Sequence, residues 1–315
     1  FLLGPHEYRT SACIGITLFD GQQSASELLK AADLALNHAK KDGAHSLRFF
    51  DSQMQERASS RALLISELRN ALDNGHLCLF YQIQVNVMHH PVGAEVLIRW
   101  MHPERGLVSP AQFIPLAEET GEILAIGKWV LDNACAQLAA WQDDALMRNL
   151  SLAVNVSARQ FRQQHFIEQV HSAISRHSIN PALLKLELTE SLLLEDVEST
   201  ALTMSGLKEI GVHLSLDDFG TGYSSLQYLT RLPLDQLKID RSFVKEITSN
   251  PNARAVIAAI IAMADGLSLG VIAEGVEEDE QRKMLHEMGC HHCQGYLYSQ
   301  PVPIEEFERL VRETN

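Results

Sequence analysis

From Leu77 onward the chain alternates short apolar runs with stretches of helical periodicity, and this alternation constrains the fold more than any other feature. The strand-like runs are 77–85, 93–100, 150–156, 184–188, 212–217, 236–239, 271–273 and 293–298. Apolar residues at helical spacing fill the gaps, notably over 123–141, 158–177, 198–210, 253–267 and 278–288. Alternation sustained over about 240 residues predicts an α/β chain, with a closed eight-stranded (β/α)8 barrel as the best fit. An open doubly wound sheet is the other solution, but no G-x-G-x-x-G follows a first strand. The chain has 315 residues and is 46% hydrophobic, which supplies the core a barrel needs.

Residues 1–52 are a separate small piece. A strand over 11–19, a helix over 24–40 and a strand over 47–50 make a β-turn-α-β unit too small to bury a core of its own. The helix carries Leu28, Leu29, Ala32, Ala35, Leu36 and Ala39 on one face, with Ser24 or Ser26 as its cap. Residues 53–75 read as a connecting helix, with Leu63, Leu64, Leu68 and Leu72 on one stripe, and 76–315 as the barrel.

In a barrel, chemistry gathers where the strands end. Nearly every strand here delivers a polar residue to that end or into the interior. The second gives Glu95 and Arg99, an even step apart and so on one face. The third ends at Asn155, and the fourth gives Glu187 and then Glu190. The fifth ends in Asp217-Asp218, the sixth carries Lys238, the seventh ends at Glu274 and the eighth begins near Gln294. A single charge at a strand end is usually solvated; a charge on strand after strand, each with apolar flanks, is not. Buried together, such groups must be paired or bind metal. The set is rich in oxygen and holds no cysteine or histidine, which selects Mg²⁺ or Mn²⁺ over zinc.

Asp217 and Asp218 point to opposite faces if the strand runs straight, so both serve one site only where the backbone bends; Gly220 and Gly222 are the residues expected to bend it. An Asp/Gly turn is the plainer reading of D-D-F-G. Two metals flanked by the aspartates would suit in-line displacement at phosphorus. The kinase D-F-G is set aside, because no glycine-rich loop or H-R-D accompanies it.

A net charge of −14 argues against gripping long nucleic acid but not against a small anion held by metal and arginine. Five cysteines without framework spacing suit a reducing cytoplasm. Cys290-His-His-Cys293 is a C-x-x-C without a second pair, so zinc or redox chemistry is a minor reading. The most apolar run, 255–264, stops at Asp265, too soon to cross a bilayer. The opening at Phe1 reads as mid-domain, which leaves room for sensory or membrane regions outside the chain.

Residues 77–310 resemble the EAL-domain family, bacterial phosphodiesterases of cyclic di-GMP. The matching stretches are GAEVLIRW (93–100), NVS (155–157), ELTES (187–191), DDFGTGYSSL (217–226), LKIDRSFV (237–244), AEGVE (273–277) and QGYLYSQP (294–301). Residues 1–52 resemble the C-terminal half of a GGDEF domain through CIGIT, ADLALNHAKKDG and LRFF, with the GGDEF sequence itself absent. The resemblance implies a TIM-like barrel with one strand reversed and hydrolysis of cyclic di-GMP to linear pGpG. It implies two Mg²⁺ or Mn²⁺ ions, with Glu95, Asn155, Glu187 and Asp217 as ligands and Asp217 and Asp218 at the second ion. Lys238 and Glu274 would activate the water, Gln294 would position it, and Glu190 would anchor the loop from Phe219. Arg99 would meet phosphate and Gln82 the nucleotide, with Asp240 and Glu277 as further contacts. A homodimer in the cytoplasm is also implied. The alternative is a catalytically silent cyclic di-GMP receptor, which would be expected to lack a ligand or the lysine; this chain keeps both. Two positions depart from the family pattern: Val96, which points away from Glu95, and Ile83, which stands where proline is usual.

Overall fold

The computed structural model describes residues 2–3, 6–7, 10–19, 21–190, 192, 196–220 and 229–314. The chain divides into two compact units, 1–70 and 71–315, with the helix Ser52–Ala71 running up to the boundary.

In the first unit, strands Ile14–Ile16 and Leu47–Phe49 pair in parallel and the helix Ala25–Lys41 connects them. Ser24 is the cap: its hydroxyl accepts from Glu27 N–H at 3.3 Å, and the Glu27 carboxylate accepts from Ser24 N–H at 2.8 Å. Gly15 lies against the helix backbone, where a Cβ would stand 2.2 Å from Ala32 O. Ile14, Leu47 and Phe49 are exposed.

The second unit is a closed barrel. Its strands are β1 (Leu77–Asn86), β2 (Pro91–His102), β3 (Ser151–Val156), β4 (Leu184–Thr189), β5 (His213–Phe219), β6 (Gln236–Ile239), β7 (Gly270–Ala273) and β8 (His292–Gln294). Each pairs with the next, and β8 pairs with β1 to close the ring. Within the ring all pairings are parallel except those of β1, which is antiparallel to both β2 and β8; the short strand Gly106–Val108 adds an antiparallel partner to the end of β2. The cause is local. Asn86 Oδ1 accepts from Met88 N–H and His90 N–H at 2.9 and 3.1 Å, closing a tight turn, and a turn that short joins only antiparallel strands. Ile83 sits in the middle of an unbroken β1, paired with Ala94 and 3% exposed.

Alternation along each strand splits the core in two. On β4, Leu184, Leu186 and Leu188 are fully buried on the face away from Glu187. Helices including Ile123–Trp141, Phe166–His177, Val197–Ile210 and Pro251–Gly266 supply the covering apolar residues.

Three elements depart from expectation. The helix read over 158–177 breaks into Ala158–Phe161 and Phe166–His177, because Ser157 and Gln160 close a capping box around the first short turn. The eighth strand stops at Gln294 instead of running to Tyr298. Gln294 O accepts from Val276 N–H, Leu297 N–H donates to Val276 O, and Gly295 is pressed so close to Val276 that a Cβ would stand 2.1 Å from its carbonyl oxygen. Helices Pro110–Thr120, Arg241–Glu246 and Ile304–Thr314 were missed in the sequence, although Ser109-Pro110 marks a helix start and Ile304, Phe307 and Val311 recur at helical spacing. No helix among the described residues is long and apolar enough to cross a membrane. Cys290 and Cys293 are buried free thiols, and Cys290 Sγ donates to His292 O at 3.3 Å.

Candidate active site

The C-terminal ends of the parallel strands converge on Lys238. Its side chain is 1% exposed, and its ammonium stands 2.7 Å from Glu187 Oε2, 3.2 Å from Asp217 Oδ2, 2.5 Å from Glu274 Oε1 and 3.9 Å from Glu95 Oε2. Only the Glu187 contact is aligned as a hydrogen bond. Register explains the gathering: Asn155 pairs with Glu187, Glu187 with Ser215 and Lys238 with Ile272, which brings the inward residues of adjacent strands to one depth.

Glu95 is held from the other side. Asn155 Nδ2 donates to its Oε1 at 2.7 Å and Gln294 Nε2 to its Oε2 at 2.6 Å. Gln294 also donates to Gln82 Oε1 at 3.0 Å and accepts from Gln84 Nε2 at 2.9 Å. The reversed strand thus supports the site through two glutamines on one face. Gln84 was missed in the sequence, although its two-residue step from Gln82 was the available signal.

At the end of β5 the pairing with β6 shifts register between Leu216 and Phe219, and Asp218 adopts φ 56. The bend therefore begins at Asp218 itself, one of the few residue types that tolerate this region, and continues at Gly220 with φ 97. Gly222, Thr221, Ser224 and Ser225 lie outside the described residues. Asp218 N–H donates to Asp217 Oδ1 at 2.9 Å, and Gly220 N–H donates to Glu190 Oε2 at 3.4 Å. Glu190 is 5% exposed, so it is no surface charge.

Above Lys238 opens a cleft of about 370 Å³, lined by Glu95, Asp218, Glu274 and Gln294 and by the expected contacts Gln82, Asp240 and Glu277. Tyr296, Leu97 and Arg241, not singled out in the sequence, line it too. Asp240 caps the helix Arg241–Glu246, accepting from Ser242 N–H at 3.0 Å, so part of its carboxylate is committed. Arg99 is half-buried beside the cleft; its guanidinium lies 5.4 Å from the Phe80 ring centre and donates to Ile98 O at 2.9 Å.

The sequence pattern of the EAL domain matches residues 65–301. The chain belongs to the EAL domain family. The bifunctional diguanylate cyclase/cyclic di-GMP phosphodiesterase MucR of Pseudomonas aeruginosa is 43% identical over 97% of this chain and 45% of its own length. The cyclic di-GMP phosphodiesterase NbdA of the same organism is 41% identical over 96% and 39%. The chain thus spans less than half the length of these relatives. A structure described as the PaMucR phosphodiesterase in complex with c-di-GMP superposes with a TM-score of 0.76, covering 78% of this chain and 99% of that one.

The electrostatics of the EAL site follow from crowding acids around one base. Burial pushes Glu187 up to about 8, with Glu95 and Asp217 adding to the rise against Lys238. Glu274 is raised well above the ordinary carboxylate range by burial, with Asp217 the largest of the neighbouring acids. Burial acts on Glu95 in the same direction, but Lys238, Asn155, Gln294 and Arg99 together outweigh it and leave it lowered. Burial works against the Lys238 charge, yet its four carboxylates hold its pKa well above normal. Asp218 is raised by burial and by Asp217. Among the described residues no three His, Cys, Asp or Glu side chains surround a point of their own, because these acids close on the ammonium instead.

Proposed function

We propose that this chain hydrolyses cyclic di-GMP to linear pGpG. The reading is carried by one observation: Glu95, Asn155, Glu187, Asp217, Lys238, Glu274 and Gln294, from seven strands or their ends, form one contact network, and Glu95, Glu274 and Gln294 of it line the cleft. Water oxygen bonds to phosphorus, the P–O3′ bond breaks, and the 3′ oxygen leaves with a proton.

The residues fit a divalent cation. The donors are all oxygen-bearing, and Glu187 Oε1 is buried without a hydrogen-bond partner, as an oxygen reserved for a cation would be. Glu95, Asn155, Glu187 and Asp217 would hold one Mg²⁺ or Mn²⁺, and Asp217 with Asp218 a second. Bound there, the ions would lower the pKa of water and offset the charge that builds on phosphate. Lys238 and Glu274, in direct contact, align and activate the water. Gln294 positions it, and Glu190 anchors the backbone that carries Asp218. Arg99 meets phosphate and Gln82 the nucleotide.

Residues 1–52 are read as the closing part of a GGDEF domain, supported by the exposed apolar Ile14, Leu47 and Phe49. Five cysteines suit a reducing cytoplasm, and a homodimer is expected. Incubating the purified protein with cyclic di-GMP and Mg²⁺ or Mn²⁺ should yield pGpG. Tight binding without pGpG would place the chain among silent receptors.

A further inference from the structure

Arg241 opens a helix immediately after Asp240 and lines the cleft among Asp218, Asp240, Glu274 and Glu277. Its place is built. Gly275, at φ 67, lies under it, and a Cβ there would stand 2.6 Å from Arg241 Cβ, so only glycine lets the arginine stem cross this turn. Carboxylates line the same wall, yet the guanidinium makes no hydrogen bond or ion pair with any of the described residues; its charge is felt at Asp218 without contact. Its five N–H donors, bonded to none of the described acids that line the cleft, are open to an acceptor that comes from outside. A fork of this kind matches two oxygens of a phosphate.

Its position selects which phosphate. Arg241 lines the cleft with Asp218 and Glu274, the groups assigned to the second ion and the water, whereas Arg99 neighbours Tyr296, Cys78, Phe80 and Glu95, a group assigned to the first ion. A phosphodiester carries one negative charge. Once the P–O3′ bond breaks, the same phosphorus belongs to a monoester with a charge of about −1.5 to −2 at pH 7. We infer that Arg241 binds the phosphate that is cut and grips the 5′-phosphate of the product more tightly than the diester of the substrate. This rests on the phosphodiesterase reading above.

The test compares pGpG with GpG, which lacks only the 5′-phosphate. Both are titrated as inhibitors of cyclic di-GMP hydrolysis in Mg²⁺, and their binding is measured directly by calorimetry. The wild-type protein should prefer pGpG. Arg241→Gln, which keeps the stem but not the charge, should reduce that preference about tenfold or more, the worth of one charged hydrogen bond. KM for cyclic di-GMP should rise by less. Arg241→Lys, which keeps the charge but not the fork, should fall between the two. An unchanged preference for pGpG in Arg241→Gln would overturn the inference. If that variant melts early, a wild-type preference in Arg241→Lys would overturn the two-oxygen grip. Failure of the function reading looks different: the wild-type protein would bind cyclic di-GMP and release no pGpG, while the calorimetric comparison would still report on Arg241.

Discussion

Lys238 is a buried cation whose surroundings are almost entirely carboxylate oxygen, and its removal should separate binding from chemistry. Lys238→Ala should leave cyclic di-GMP binding within about tenfold and lower kcat by orders of magnitude. A change confined to KM would show that the lysine serves substrate and not water. The same cluster predicts a pH signature in metal-free protein. Folded Glu187 keeps its proton to about pH 8 but loses it near 4.5 when unfolded. Between these values the folded state binds more protons, so stability is full at low pH and falls as pH rises through about 8. Glu274 acts in the same direction; lowered Glu95 costs stability only below the ordinary carboxylate range. Melting in EDTA should therefore drop between about pH 5 and pH 8.5, and Mg²⁺ should restore it at the upper end. A flat profile in EDTA would refute this. Individual polar residues were legible in the sequence because each interrupts an apolar strand. What was not legible is that the acids close on Lys238, since that depends on register between strands far apart in the chain.

At the scale of elements, the end of β5 joins backbone shape to chemistry. Asp218→Asn keeps a side chain tolerant of φ 56, so the fold should persist while turnover falls; Asp218→Ala should also lose stability, by about 1 kcal/mol or more. Thermal melts of the two variants distinguish strain from charge. Glu190→Ala frees Gly220 N–H and should lower kcat and raise the Mg²⁺ needed for half-activity, with a small change in melting temperature. Wild-type activity at limiting Mg²⁺ would show that the loop is held elsewhere. The strands were readable from apolar runs, but the reversal of β1 rested on resemblance alone, although the short gap between 85 and 93 already argued for a hairpin. Strand eight was drawn too long because CQGYLY is apolar enough to continue; contact with Val276 ends it, and no local pattern announces that contact.

For the molecule as a whole, EDTA should abolish hydrolysis, and Ca²⁺ should bind without supporting it, since its longer, looser bonds misplace the water. Activity in metal-free protein would remove the two-ion reading. No cyclic di-GMP should form from GTP, because residues 1–52 lack the GGDEF sequence. The antiparallel seam also sets an order of events. β1 and β2 are near neighbours in the chain, and their hairpin closes a loop of a few residues. The other side of β1 waits for β8: Gln84 and Gln294 are 210 positions apart. Loop closure over that distance is slow, so the hairpin should form early and the ring should shut late. The late contact is also the one that delivers Gln294 to Glu95. A barrel arrested one strand short would be largely helical, compact and inert, so in refolding the return of activity should trail the return of secondary structure and coincide with the burial of β8.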